Sequence, residues 1–240
     1  MLFINPPFGN YFSLTNTISI KGSYTLKPRS GLFKQIWSTL YYDPKYNGWI
    51  NKIGLRNKGI DYAVQHYDGN HIVSIAIMET SEVEIIKNKI PENMNIELNV
   101  SCPNTDKALI HEQLNIFLNH KRKWCIIKLS PLTELELIDT YYKQGFRQFH
   151  CSNTLPVTNG GLSGPSLQKY TLPLIKSIRM KYPNTTIIGG GGIRHIEDIY
   201  KYKKAGADHF SISSLLFNPL SFISFYVQYL YINQNMYHPK

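Results

Sequence analysis

The sequence predicts an α/β fold, a (β/α)8 TIM barrel. Three observations point there. Short β-rich runs recur eight times along 240 residues, apolar residues at helical spacing fill the later gaps, and polar or glycine residues collect where the runs end. Strand then helix, repeated, gives right-handed βαβ units and parallel strands. Eight such strands close into a barrel, and this chain length is near the usual size of one. The rival is an open doubly wound sheet.

The runs are LFIN (2–5), ISIKGSY (18–24), HIVSIAIM (71–78), IELNVS (96–101), CIIKLS (125–130), QFHCSN (148–153), TIIGGG (186–191) and HFSISS (209–214). Helical patterns lie between the later ones. Residues 81–90 carry Val83, Ile85 and Ile86; residues 107–119 carry Leu109, Ile110, Leu114 and Phe117; residues 165–181 carry Leu167, Leu172, Ile175 and Ile178. Each spacing buries one helical face. No linker, repeat or low-complexity segment divides the chain, so residues 1–240 read as one domain.

Apolar residues at 42% and charged residues at 18% describe a globular chain rather than a disordered one. No run of eighteen apolar residues suggests a membrane span. The start, MLFINPPFGN, has no basic region ahead of an apolar core and reads as the first strand. Three cysteines, Cys102, Cys125 and Cys151, with no CxxC pair, argue against a disulfide framework and a zinc site and favour a reducing, cytoplasmic setting. No HExxH spacing points to any other metal. The net charge of +10 has two readings: lysine-rich composition, or attraction for anions such as a phosphate or a carboxylate. No aromatic-and-basic repeat suggests a nucleic-acid platform.

In such a barrel the chemistry sits at the C-terminal strand ends. Gly22-Ser23 ends the second run, Asn99 to Asn104 the fourth, Lys128 to Pro131 the fifth, Asn153-Thr154 the sixth, the glycines 189–192 the seventh and Ser213-Ser214 the eighth. Four consecutive glycines before a helix let the backbone approach a ligand closely, and with the helix N-terminus they suit a phosphate. A second cluster, TNGGLSGPSL (158–167), sets Ser163 and Gly164 before another helix. Together the clusters suggest a ligand long enough to touch several loops.

Lys128 follows apolar residues on both strand faces and needs an electron-rich partner. Glu97 on the neighbouring strand is one; a cofactor that gains negative charge is the other. Asn57, Asn99, Asn104 and Asn153 each offer a donor and an acceptor, suited to a flat ring with C=O and N–H groups. Cys125 and Cys151 lie inside apolar strands and read as structural. Cys102 sits beside Pro103 among polar residues, which favours proton transfer or substrate contact.

The segments GSYTLKPRSG (22–31), NKIGLRNKGID (51–61), IELNVSCPNT (96–105), IKLSPL (127–132), SNT (152–154), GGLSGP (160–165) and IIGGGGI (187–193), with the Ser213-Ser214 strand end, resemble the dihydroorotate dehydrogenases in order and across nearly the whole chain. The resemblance implies FMN on the barrel rim. Gly164, Gly191, Gly192 and Ser214, with Ser163 and Ser213 beside them, would hold its phosphate region. Gly22, Ser23 and Asn99 would lie near the flavin and Lys128 at its pyrimidine edge. Asn57, Asn99, Asn104, Asn153 and Thr154 would hold dihydroorotate, or the product orotate, and Cys102 would take the C5 proton as C6 delivers hydride. Cysteine at that place is similar to the soluble class 1 members, which also implies a homodimer and no membrane anchor.

The chain departs from that pattern in places. Gly22 and the segment NPPFGN stand where the family carries a lysine near the flavin, and strand alternation points Lys21 to the other face. Only Leu155 to Asn159 separate SNT from GGLSGP, Ser213 replaces a usual glycine, and no Pro-Gly follows Asn104. Two other readings stay open: another FMN barrel resembling the dihydrouridine synthases, and a flavin or pyrimidine binder without turnover.

Overall fold

The computed structural model describes residues 1–100, 107–151 and 153–237. Its strands are β1 (Leu2–Ile4), β2 (Thr17–Tyr24), β3 (Tyr41–Asp43), β4 (Gly48–Asn51), β5 (His71–Ile75), β6 (Ile96–Asn99), β7 (Cys125–Leu129), β8 (Gln148–Cys151), β9 (Leu155–Val157), β10 (Gly160–Ser163), β11 (Thr186–Gly190) and β12 (His209–Ile212). The helices are α1 (Leu32–Thr39), α2 (Ile60–Gln65), α3 (Glu82–Lys89), α4 (Lys107–Glu112), α5 (Leu135–Lys143), α6 (Gln168–Lys181), α7 (Ile196–Ala205) and α8 (Pro219–Tyr237). Eight strands close a parallel barrel in the order β1-β12-β11-β8-β7-β6-β5-β2. They are the eight runs expected from sequence, so the closed barrel holds and the open sheet does not. Seven of the eight end one to three residues before the run does, because the rim residues leave the ladder to build loops. The span 107–119 is not one helix: α4 stops at Glu112, and a separate 3-10 turn covers Leu114–Phe117.

Alternation along the strands sorts the side chains into two layers. Leu2, Ile4, Val73, Ile75, Leu98, Ile127 and Phe149 face outward and pack with Val83 and Ile86 of α3, Ile138 and Tyr141 of α5, Ile175 and Ile178 of α6 and Ile199 and Tyr202 of α7. Phe3, Ile20, Ile72, Ile126 and Ile188 come from five strands of the closed ring and still meet in one cluster with Trp124, which places them inside the barrel. The positions two residues further along hold Asn5, Ser74 and Lys128, all buried. The lumen therefore turns from apolar to polar as it approaches the C-terminal rim.

A second sheet was not foreseen. Strands β3, β4, β10 and β9 form an antiparallel sheet in that order, with its own small core of Ile50, Leu155, Leu162 and Leu167. The short segment after Asn153 is the β9–β10 hairpin of this sheet. Trp49 on β4 stacks on Phe217 at 4.4 Å, and Arg194, just past the glycine run, donates to Asn47 Oδ1 at 3.0 Å and to its carbonyl at 3.1 Å. The sheet is thus fastened to the rim at both contacts.

The two glycine clusters, far apart in sequence, touch. A Cβ on Gly192 would lie 2.4 Å from the Gly164 carbonyl oxygen and 2.5 Å from Pro165 Cα, and its φ is +86°. Both the left-handed backbone and the close approach require glycine there. Gly192→Ala is expected to cost roughly 2–4 kcal/mol. Urea unfolding should show a lowered midpoint at unchanged slope; a midpoint equal to the parent's would contradict the contact.

Candidate active site

A cleft opens at the C-terminal rim. Asn5, Lys128, Asn153, Thr154, Ser163, Gly164, Gly191, Gly192, Ser211, Ser213 and Ser214 line it. Nine of these were candidates from sequence; Asn5 and Ser211 were not. Cys102 and Asn104 lie outside the described residues.

At the glycine end, Gly191 and Gly192 have φ of +95° and +86°. The buried Tyr202 hydroxyl lies 2.7 Å from the carbonyl oxygens of both Gly190 and Gly191 and shares its proton between them. Since Tyr202 belongs to the helix layer, those carbonyls point away from the cleft. Gln168 Nε2 donates to the Gly192 carbonyl at 2.8 Å. With the carbonyls so engaged, the loop can present backbone N–H groups to an anion. Ser213 does not direct its hydroxyl there: Oγ donates to the Pro6 carbonyl at 3.0 Å.

At the other end the floor is a buried polar network centred on Glu97. The carboxylate is fully buried. Oε1 accepts from Ser74 Oγ at 2.8 Å and from Lys128 Nζ at 3.2 Å, and Oε2 accepts from His150 Nδ1 at 2.5 Å. Lys128 thus pairs with Glu97, the first of its two sequence readings, and it also lines the cleft. From Ser74 the network continues upward. Ser23 Oγ lies 2.9 Å from Ser74 Oγ, Asn99 Nδ2 donates to Ser23 Oγ at 3.0 Å, and Asn153 Nδ2 donates to Asn99 Oδ1 at 3.1 Å. A register shift between Lys21 and Tyr24 re-aims Ser23 so that it reaches the lumen. Ser74, His150 and Ser211 went unnoticed in the sequence, though each is a polar residue at an inward position of an apolar strand.

Electrostatics follow from this geometry. Burial alone would raise the Glu97 pKa, but the Lys128 ammonium, the His150 ring and the Ser74 hydroxyl outweigh it and bring it from 4.5 to about 2. Burial pushes His150 down from its ordinary 6.5, with Glu97 opposing, which leaves a neutral imidazole near pH 7. Burial raises the Cys125 thiol to about 12 and moves Cys151 in the same direction, so both are inert.

Two more candidates take different places. Gly22 has φ of +125°, and a Cβ there would lie 2.5 Å from the Ser74 carbonyl oxygen. This backbone excludes any side chain at position 22. Lys128 is then the one cation among the described residues that line the cleft. Asn57 does not line it. Its Nδ2 donates to Thr25 Oγ1 at 2.9 Å and to the Leu55 carbonyl at 2.7 Å, and its Oδ1 accepts from Thr25 N at 3.2 Å and Gly59 N at 2.7 Å. All four positions of the amide are used to tie the segment after β2 to the start of α2. Among the described residues, no group of three or more His, Cys, Asp or Glu could hold a metal ion, and no helix is long and apolar enough to cross a membrane.

The Glu97 environment sets an acid limit on stability. Its folded pKa is below its ordinary value, so its contribution is complete above pH 4.5 and is lost as pH falls toward 2. Glu97→Gln is expected to lower stability at pH 7 by about 3 kcal/mol and to flatten the acid limb between pH 4.5 and 2. Denaturant midpoints across that range check this; parallel profiles for parent and variant would contradict it.

Comparisons with known proteins give the family of the chain. A family model described as dihydroorotate dehydrogenase matches residues 13–224. Three similar proteins are catalytic subunits of dihydroorotate dehydrogenase B (NAD(+)). The one from Desulforamulus reducens is 31% identical over 84% of this chain and 76% of its own length. Those from Oceanobacillus iheyensis and Malacoplasma penetrans are each 27% identical over 88% of this chain and 81% of their own length. A match of that extent makes this chain a member of the dihydroorotate dehydrogenase family, which is a family of oxidoreductases.

Proposed function

We propose that the chain oxidises dihydroorotate to orotate with FMN held in the rim cleft, as a step of pyrimidine biosynthesis. One observation carries the reading beyond family membership. A glycine cradle able to hold a phosphate and a lysine-bearing polar floor share one cleft, which suits a ligand with a phosphate at one end and a polar ring at the other.

The residues fit such a group. Gly164, Gly191, Gly192 and Ser214, with Ser163, would hold the phosphate end, while Ser213 lines the cleft with its hydroxyl on the Pro6 carbonyl. Gly22 and Ser23 would lie beside the ring system. Lys128 would set its positive charge at the pyrimidine edge. Bound FMN supplies the two-electron acceptor for the hydride that leaves C6 of the substrate. Asn99, Asn104, Asn153 and Thr154 orient the substrate ring and its carboxylate. Asn57, its amide committed to its own loop, is left out of that set. Cys102 removes the C5 proton as a thiolate, a role that rests on its place in NVSCPNT. The names of the similar B-type subunits support NAD+ as the final oxidant, reached through a partner subunit.

The purified protein should be yellow, and dihydroorotate should bleach it under anaerobic conditions. Color that persists with every dihydropyrimidine would instead select a binder without turnover, which the absent lysine at position 22 favours. Cys102→Ser should slow bleaching near neutral pH by about a hundredfold or more while FMN stays bound; an equal rate would remove Cys102 from proton transfer. Lys128→Ala should weaken FMN binding or disfavour its reduced form, and an unchanged affinity together with an unchanged potential would count against its place at the ring.

A further inference from the structure

We propose that Asn5 is a further ligand-binding residue, with its side-chain carbonyl oxygen committed to accept a hydrogen bond from an N–H or O–H donor of the bound flavin. The inference rests on the reading of the cleft as an FMN site.

Asn5 follows β1, lines the cleft and is only 5% exposed. Its Oδ1 is sealed from solvent and has no hydrogen-bond partner. A buried acceptor without a partner is uncommon in a native protein, because the water it gave up is not replaced. An amide can usually escape by turning over, placing its nitrogen where its oxygen was. Here it cannot, and the reason lies two residues deeper.

Glu97 is a carboxylate and only accepts, so the proton between Oε2 and His150 Nδ1 belongs to the imidazole. A neutral ring with a proton on Nδ1 has a bare lone pair on Nε2. Ser211 Oγ, 2.7 Å away, therefore donates to Nε2. Asn5 Nδ2 stands on the same side at 3.5 Å. Turning the Asn5 amide over would set its oxygen against that lone pair and remove the one favourable contact. The buried charge thus fixes the histidine tautomer, the tautomer fixes the amide, and the amide leaves an unpartnered acceptor on a residue that lines the cleft. The matching ligand group is a neutral donor, which in FMN is a ring N–H or a hydroxyl of its side chain. A phosphate, being an acceptor, does not fit there.

The experiment compares parent, Asn5→Leu and Asn5→Ala. FMN is titrated into each flavin-free protein by fluorescence quenching, and urea unfolding is measured with and without FMN. Leucine matches the shape of asparagine and lacks the acceptor; alanine serves as the second variant should leucine not fold. FMN affinity should fall about fivefold or more, with flavin-free stability little changed, since a hydrogen bond is lost only in the complex. A residue with a purely structural role would lose stability equally in both states. Parent-like FMN affinity in both variants would overturn the inference and leave the assignment of the cleft intact. A parent that takes no FMN would defeat that assignment instead. The 15N shifts of His150 in flavin-free protein then decide: a proton on Nδ1 alone supports the committed acceptor, while a proton on Nε2 or an imidazolium overturns it.

Discussion

The floor of the site depends on one buried carboxylate. A barrel lumen is ordinarily stacked with apolar side chains, and an ionised group there is costly unless its lone pairs are used. Glu97 uses them on Ser74, Lys128 and His150. Each partner belongs to a different strand, and the contacts spread onward to Ser211 on β12 and to Ser23 on β2. A single charge thereby ties six of the eight barrel strands into one polar layer under the cleft. It also holds Lys128 at the cleft floor, with its charge partly balanced from below.

The walls are assembled by close backbone approach. Gly192 against Gly164 joins the loop after β11 to the hairpin sheet, and Arg194 with Asn47 fastens the same sheet from the other side. Gly22 works in the opposite sense, by excluding a side chain where relatives are expected to carry a lysine. Position 22 therefore supplies no cation, and Lys128 is the one cation among the described residues that line the cleft. These features suit a flat ligand gripped by its anionic end while its ring rests over a nearly neutral floor.

Much of the barrel was legible because its strands alternate cleanly and end in residues that strands avoid, such as the glycines 189–192 and Asn153-Thr154. The rim candidates were legible for the same reason. The antiparallel sheet was not, because YYD, GWIN, LPV and GGLS are too short and too rich in glycine and tyrosine to show a period. The span 107–119 carried apolar residues at helical spacing through a break at Gln113 that spacing alone does not reveal. His150 and Ser74 carry no such strand-end signal, because they lie inside strands, one inward position deeper than the strand ends. Asn57 illustrates the converse: its residue type suggested a ligand, but its own loop takes every hydrogen bond it can make.

The ionisation of Glu97 is the point on which the rest turns. With the protein labelled at glutamate side-chain carboxyls and the Glu97 signal assigned by Glu97→Gln, 13C NMR can follow that carboxyl as pH is lowered. A signal that stays ionised well below pH 4.5 and shifts only toward pH 2 is the result expected. A carboxyl already protonated near neutral pH would contradict the charge, the histidine tautomer and the committed acceptor together.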